Sequence, residues 1–142
     1  MSNNCLKTFH EDDALKILGF MREKNKKAAL EVYVRGRRSL LFIPDEMAPD
    51  KEEWLRRKRN SVLYFGLSTQ ALFEKQQGDE GKIESKYGKS IADYTFTPGS
   101  IPITLQNVGM IGALSVTGLL PEEDHALAVW LLEKLLEEKS NA

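Results

Sequence analysis

The stretch 101–117 constrains this chain most. Ile101-Pro102-Ile103-Thr104-Leu105 leads through Gln106-Asn107 into Val108-Gly109-Met110-Ile111-Gly112-Ala113-Leu114-Ser115-Val116-Thr117. A strand's period of two puts Val108, Met110, Gly112, Leu114 and Val116 on one face and Ile111, Ala113, Ser115 and Thr117 on the other. Both faces are apolar or small. A strand that is apolar on one side can rest its other side in water, whereas this one needs a layer on each. The chain is therefore expected to place a β-hairpin at 101–117 centrally in a sheet, with helices over it.

The rest of the sequence supplies those layers. In residues 11–26, Ala14, Leu15, Ile17, Leu18 and Met21 recur at helical spacing, with Glu11, Lys16, Arg22 and Glu23 left for the outer face. Residues 28–34 and 39–43 read as strands, and Arg35-Gly36-Arg37 between them offers the glycine that a tight hairpin turn requires. After a loop with two prolines, residues 51–65 return to helix with Trp54, Leu55, Val62 and Phe65 as the apolar side, stopped at Gly66. Ser68 is placed to cap a further short helix carrying Ala71, Leu72 and Phe73. Residues 78–100 are the least regular part and read as a functional or interface loop. Pro121 then opens a closing helix, with Glu122, Glu123 and Asp124 in its positive first turn and Ala128, Leu131, Leu132 and Leu135 as its buried stripe.

Hairpins with helices between and around them define an α+β class. With 142 residues, 42% of them hydrophobic, the chain is long enough for one core and too short for two. We divide it into an N-terminal tail, 1–10, and a single domain, 11–142. Its 20 basic residues against 21 acidic ones give no overall field to draw nucleic acid or an anionic membrane, so any charge-based function is local. No stretch approaches the roughly 18–20 apolar residues needed to span a bilayer, and the start of the chain lacks the pattern of an export signal. The single cysteine, Cys5, excludes an intramolecular disulfide and suits a reducing compartment. A cytoplasmic location is expected, with neither nucleic acid nor membrane as partner.

Two runs carry candidate chemistry. Trp54-Leu55-Arg56-Arg57-Lys58-Arg59-Asn60 holds four consecutive basic residues, but a helix scatters them around its circumference and no aromatics interleave with them, which argues against nucleic acid. The plainer reading is that some are solvated while an arginine or two reaches a carboxylate of another element, such as Glu122, Glu123 or Asp124. Glu122-Glu123-Asp124-His125 is the densest group of acid, base or ligand side chains, and helical spacing makes Glu122 and His125 neighbours on one face. Acidic residues in a first helical turn are also expected for dipole reasons alone. One cysteine and two histidines do not make a closed zinc site, so no metal is expected. The glycines of 109–118 match no phosphate-loop pattern, and the serines sit in no nucleophile elbow.

Taken together, Trp54-Leu55-Arg56-Arg57-Lys58-Arg59-Asn60, Phe65-Gly66, Lys86-Tyr87-Gly88, Asp93-Tyr94, Ile101-Pro102-Ile103, Val108-Gly109-Met110-Ile111-Gly112, Gly118 and Glu122-Glu123-Asp124-His125 resemble an uncharacterised family of bacterial and fungal proteins. That family is grouped with the haem-degrading, GlcG/HbpS-like domains. The resemblance runs from about residue 11 to the last helix. It implies a profilin-like fold, in which a five-stranded antiparallel sheet is flanked by helices, and assembly into homo-oligomers. Three places depart from the family pattern. Leu67 stands where a histidine is expected, Thr97-Pro98-Gly99-Ser100 replaces a stretch containing His-Gly-Gly, and Ile43-Pro44-Asp45-Glu46-Met47 lacks that loop's polar, glycine-containing pattern. These losses weigh against haem chemistry, which fold alone does not carry across.

The functional expectation is a homo-oligomeric binding or assembly protein for haem or a small anionic ligand. Its pocket would be built between subunits by the loop before Ile101, the basic helix and the start of the last helix, with Arg56, Arg57 and Arg59 holding the ligand's carboxylates and Glu122 and His125 nearby. An enzyme of haem breakdown or other small-molecule chemistry is the first alternative, with His125 as ligand or proton-transfer group. A structural oligomer without ligand is the second. The cofactor stays open, with haem as the candidate.

Overall fold

A computed structural model describes residues 5–141; residues 1–4, the first part of the expected tail, and residue 142 lie outside it. The elements run β1 (Cys5–Leu6), α1 (Glu11–Lys24), β2 (Ala29–Val34), β3 (Arg37–Phe42), α2 (Lys51–Phe65), α3 (Thr69–Lys75), α4 (Lys82–Ser85), β4 (Ser100–Leu105), β5 (Gly109–Thr117) and α5 (Pro121–Ser140). They form a five-stranded sheet in the order β1-β4-β5-β2-β3. As the two-sided pattern of 108–117 requires, β5 is the middle strand, antiparallel to both β4 and β2.

Two features correct the sequence reading. The sheet is mixed, because β1 pairs parallel with β4 through Cys5 opposite Thr104 and Leu6 opposite Leu105. Residues 5–10, read as a tail, belong to the fold, with Leu6 and Phe9 each 1% exposed. A two-residue strand has too short a period to announce itself.

The sheet's two faces are chemically different. Leu30, Val32 and Val34 of β2 and Leu114 and Val116 of β5 meet Ala14, Ile17 and Met21 of α1 and the Leu127, Ala128, Leu131, Leu132 and Leu135 stripe of α5. Each fully buried leucine there contributes about 1.5–3 kcal/mol. The alternate residues point to α2. Glu31, directly opposite Ser115, is fully buried and accepts from Arg59 of α2 at 3.0 Å and Arg38 of β3 at 3.1 Å. Small residues Ala113 and Ser115 let α2 sit close to the sheet, so α2 covers a polar layer and α1 with α5 an apolar one.

Local backbone sets the registers. At the first hairpin both Arg35 (φ 54°) and Gly36 (φ 80°) are left-handed, the pair of positive angles that a two-residue turn matching the strand twist needs. Near the second hairpin Ile103 pairs with Gly112 and Thr104 with Met110, leaving Ile111 as a bulge. The bulge breaks the alternation. Ile111 packs against the main apolar cluster, whereas Val108 and Met110, expected to share a face with Leu114, are exposed. Gly112 has no substitute here, since a Cβ would overlap the Tyr33 carbonyl across β2.

Beyond α2 the chain builds a second, smaller apolar cluster. Leu72, Ile83 and Phe96 form its centre, with Phe65, Tyr87 and Tyr94 packed around them. Ser68 caps α3 by accepting from the Ala71 N–H at 3.1 Å. Within the stretch expected to be irregular, Glu80 accepts from the Thr95 hydroxyl at 2.8 Å and the Phe96 N–H at 2.6 Å. Thr69 then clamps the start of β4, its hydroxyl accepting from the Ser100 N–H at 2.9 Å. These contacts fix the loop before β4 from the α3 side, and the Val116 N–H donates to the Gly99 carbonyl at 2.8 Å, holding the loop to the end of β5.

Candidate functional site

Helix α2 presents Leu55, Lys58 and Val62 to the sheet, the i, i+3, i+7 spacing of an inner stripe. Two members of that stripe are apolar and one is a lysine. Lys58 is 1% exposed. Its ammonium donates to the Val116 carbonyl at 2.9 Å, the Thr117 hydroxyl at 3.2 Å and Asp124 Oδ2 at 3.2 Å, so its three donors meet three acceptors.

Asp124 comes to this point from the first turn of α5 and is itself buried. Its Oδ1 accepts from the Leu119 N–H at 3.0 Å, one of the backbone groups left open before a helix start. Burial lowers the proton affinity of the Lys58 amine and raises that of the Asp124 carboxyl, with their mutual attraction opposing both shifts. The proton's two resting places therefore lie closer in energy than they would in water.

Gly99, at φ 138°, runs past this pair. A Cβ there would stand 2.6 Å from Lys58 Nζ and would overlap the Val116 carbonyl. Only glycine lets the loop before β4 approach the amine this closely. Above it opens a cleft of about 210 Å³ whose lining includes Lys51, Trp54, Lys58, Thr97, Thr117 and Asp124. Three other hollows are larger, at about 320, 440 and 450 Å³. Of the four, the smallest is the one that brings a buried cation, a buried carboxylate and an aromatic wall together, and we take it as the candidate site.

The residues singled out in the sequence divide. Arg56 is held by Glu53 at 3.0 Å and Asp93 at 3.1 Å. Arg59 is held by Glu31 and lies over the Tyr33 ring, 4.2 Å from its centroid. Both reach carboxylates outside α2, as the sequence reading expected of an arginine or two, but the carboxylates are Asp93 and Glu31 and not Glu122, Glu123 or Asp124. The residue that makes that link is Lys58. Arg57 stacks on Trp54 at 4.6 Å and donates to the Tyr94 carbonyl at 3.3 Å, while its buried Nε has no partner among the described residues. It stands behind the cleft's aromatic wall.

Glu122 is exposed. His125 is half-buried, its Nδ1 buried without a partner among the described residues. Burial lowers the pKa of His125, opposed by the charge of Glu74 on α3. Glu122 is not among the groups that shift His125. Neither lines any of the four hollows described. Among the described residues, no three of His, Cys, Asp and Glu converge as a metal site requires, and no helix is long and apolar enough to cross a membrane.

Comparison with known proteins gives a consistent set of likenesses. The family model described as "Haem degrading protein HbpS-like" matches residues 9–133. A UPF0303 protein of Serratia proteamaculans is 35% identical over 76% of this chain and 67% of its own length. One from Paraburkholderia phytofirmans is 30% identical over 85% of this chain and 76% of its own. Among solved structures, that of the Ybr137w protein superposes with a TM-score of 0.81 at 27% identity, covering 93% of this chain and 81% of the other. HbpS gives 0.69 at 16% identity over 95% and 94%, and a PduOC:heme complex 0.68 at 13% over 91% and 94%. The last two likenesses are of fold.

Proposed function

This chain belongs to the HbpS-like haem-degrading protein family, and from that membership we propose that it is a homo-oligomeric binding protein for a small organic anion held in the cleft between α2, the loop before β4 and the start of α5. The observation that carries the reading is the Lys58–Asp124 pair, 3.2 Å apart, buried, and lining a cleft together. Lys51 adds a second cation, Thr97 and Thr117 add hydroxyls, and Trp54 forms a flat wall. Such a combination suits a carboxylate on a small carbon frame. Arg57 takes part as a positioning residue that holds the Trp54 ring, while Arg56 and Arg59 are committed to carboxylates of the protein.

Haem is the group that the family's description and the PduOC:heme complex connect with related proteins. The cleft residues do not fit it. A volume of about 210 Å³ suits a molecule of a few heavy atoms, and the lining contains no His, Cys, Met or Tyr to serve as an axial ligand. The one lysine at its base is already engaged by three oxygens. No step here is routed through haem.

Assembly is supported by the surface around the second apolar cluster, where Tyr64, Leu67, Phe73 and Ile91 are exposed on elements otherwise packed together.

The binding test uses the chain's two tryptophans. With Trp130→Phe, the emission reports on Trp54 alone. Titration with acetate, malonate, lactate and haem is expected to give a saturable change with at least one carboxylate, weakened about tenfold, or 1.4 kcal/mol, by Lys51→Glu. If no carboxylate alters the Trp54 emission at millimolar concentration, the reading fails.

A further inference from the structure

We propose that a second hollow, between the end of α1 and the outer side of α5, binds a monocarboxylic acid with an apolar tail. Of the residues lining the cleft beside Lys58, only Leu119 lines this hollow as well. The two sites therefore stand or fall separately.

The core takes Leu127, Ala128, Leu131, Leu132 and Leu135 from α5. Ala126 and Trp130, four residues apart, widen that apolar face by one further row around the helix. Ala126 is exposed and Trp130 half-buried, so no element of the fold fully covers the row. What stands over it is a hollow of about 320 Å³, with Leu119 and Leu127 completing its apolar wall. Small-molecule sites typically enclose about 300–1,000 Å³ and combine such a wall with a few polar groups. This hollow lies at the lower end of that range, which suits a short tail such as a single ring.

The polar groups set the ligand's charge. Lys24, the last residue of α1, and Lys26, in the turn after it, line the same hollow and are exposed, so a ligand reaches them from solvent. Lys16, Lys51, Lys58 and Lys139 each face a carboxylate. Lys24 and Lys26 face none among the described residues. The Lys24 ammonium lies over the Trp130 ring instead, 4.3 Å from its centroid, a contact that holds the cation at the apolar wall without neutralising it. A carboxylate entering here meets two uncompensated ammonium groups while its tail lies on Leu119, Leu127 and Trp130. Glu123, in the same lining, engages one oxygen with the Leu120 N–H at 3.2 Å. Its negative charge disfavours a second carboxylate on the ligand.

The probe is phenylacetate, followed in the ¹⁵N–¹H spectrum of the wild-type protein, where the Trp130 indole signal is the one missing from Trp130→Phe. The expected result is a saturable shift of that indole and of the Ala126 and Leu127 amides at millimolar concentration. Acetate, which lacks the tail, and benzyl alcohol, which lacks the charge, should each bind about tenfold more weakly. Phenylmalonate, with a second carboxylate, should bind no more tightly than phenylacetate. Lys24→Gln together with Lys26→Gln changes two exposed side chains outside the core, and should weaken phenylacetate about tenfold. A Trp130 indole unmoved by phenylacetate, or shifts confined to the Trp54 indole, would overturn the proposal. So would benzyl alcohol binding as well as phenylacetate, phenylmalonate binding more tightly, or the doubly substituted protein binding phenylacetate undiminished.

Discussion

Asp124 is asked to satisfy a buried ammonium with one oxygen and a helix-start amide with the other, and its replacement shows what each role is worth. Asp124→Ala leaves the Lys58 charge buried without its counter-charge, a situation that costs about 3–5 kcal/mol. The double substitution Lys58→Met with Asp124→Leu removes both charges together, and we expect it to recover most of that loss. Urea unfolding midpoints of the three proteins check this. A double variant as weak as the single one would contradict it. His125 makes a prediction in pH. Its folded pKa is lowered by burial, so the folded state favours the neutral ring. The stability this gives is present above the unfolded value of about 6.5 and is lost as pH falls through the lower, folded value. Wild-type stability is expected to decline from pH 7.5 to 5, and a His125→Gln variant to decline less over that window. Equal slopes would place the effect elsewhere. The site at this scale was half legible. Leu55 and Val62 marked an inner stripe on which Lys58 falls by spacing, but periodicity is read from apolar residues, and a lysine among arginines reads as solvated. Asp124 was masked in the same way, because first-turn acids are favoured by the helix dipole whether or not they have a partner.

At the scale of elements, the sequence was most informative where a pattern ran long. The two-sided character of 108–117 required a central β5, and the apolar stripes of α1 and α5 supplied one covering layer. Short elements lay below what a period reveals. β1 has two residues and α4 four, and each is held by tertiary contacts that no local pattern encodes. The bulge at Ile111 is of the same kind, since it is defined by its partner strand. The surface around α2's end and α3 yields a prediction about assembly. Phe73 and Leu67 are exposed there at 42% and 38%, and a partner copy is expected to cover them. Light scattering on the wild-type protein should give a multiple of the 16.1 kDa chain mass, and Leu67→Ser with Phe73→Ser should shift it toward the single chain. A wild-type mass equal to one chain would remove the oligomer from the account.

For the whole molecule, the division of faces decides where chemistry can happen. The face under α1 and α5 is filled with aliphatic side chains, which belong to the larger of the two apolar clusters. The face under α2 carries Glu31, Ser115, Thr117 and Lys58, so its polar groups must be satisfied by one another or by something bound. Where that layer meets the surface, between α2, the loop before β4 and the start of α5, lies the cleft. The functional expectation read from the sequence named the same three elements as the walls of a pocket between subunits, and the family match agrees with the fold they build. It placed the arginines on the inside, where the structure puts a lysine and an aspartate. The most direct test is to record amide and indole ¹⁵N–¹H spectra during titration with glyoxylate and with malonate. The account predicts that shifts concentrate on the Trp54 indole and the amides of Thr117, Gly118 and Leu119. Shifts gathered instead at the Arg35–Gly36 hairpin tip, or absent throughout, would contradict it.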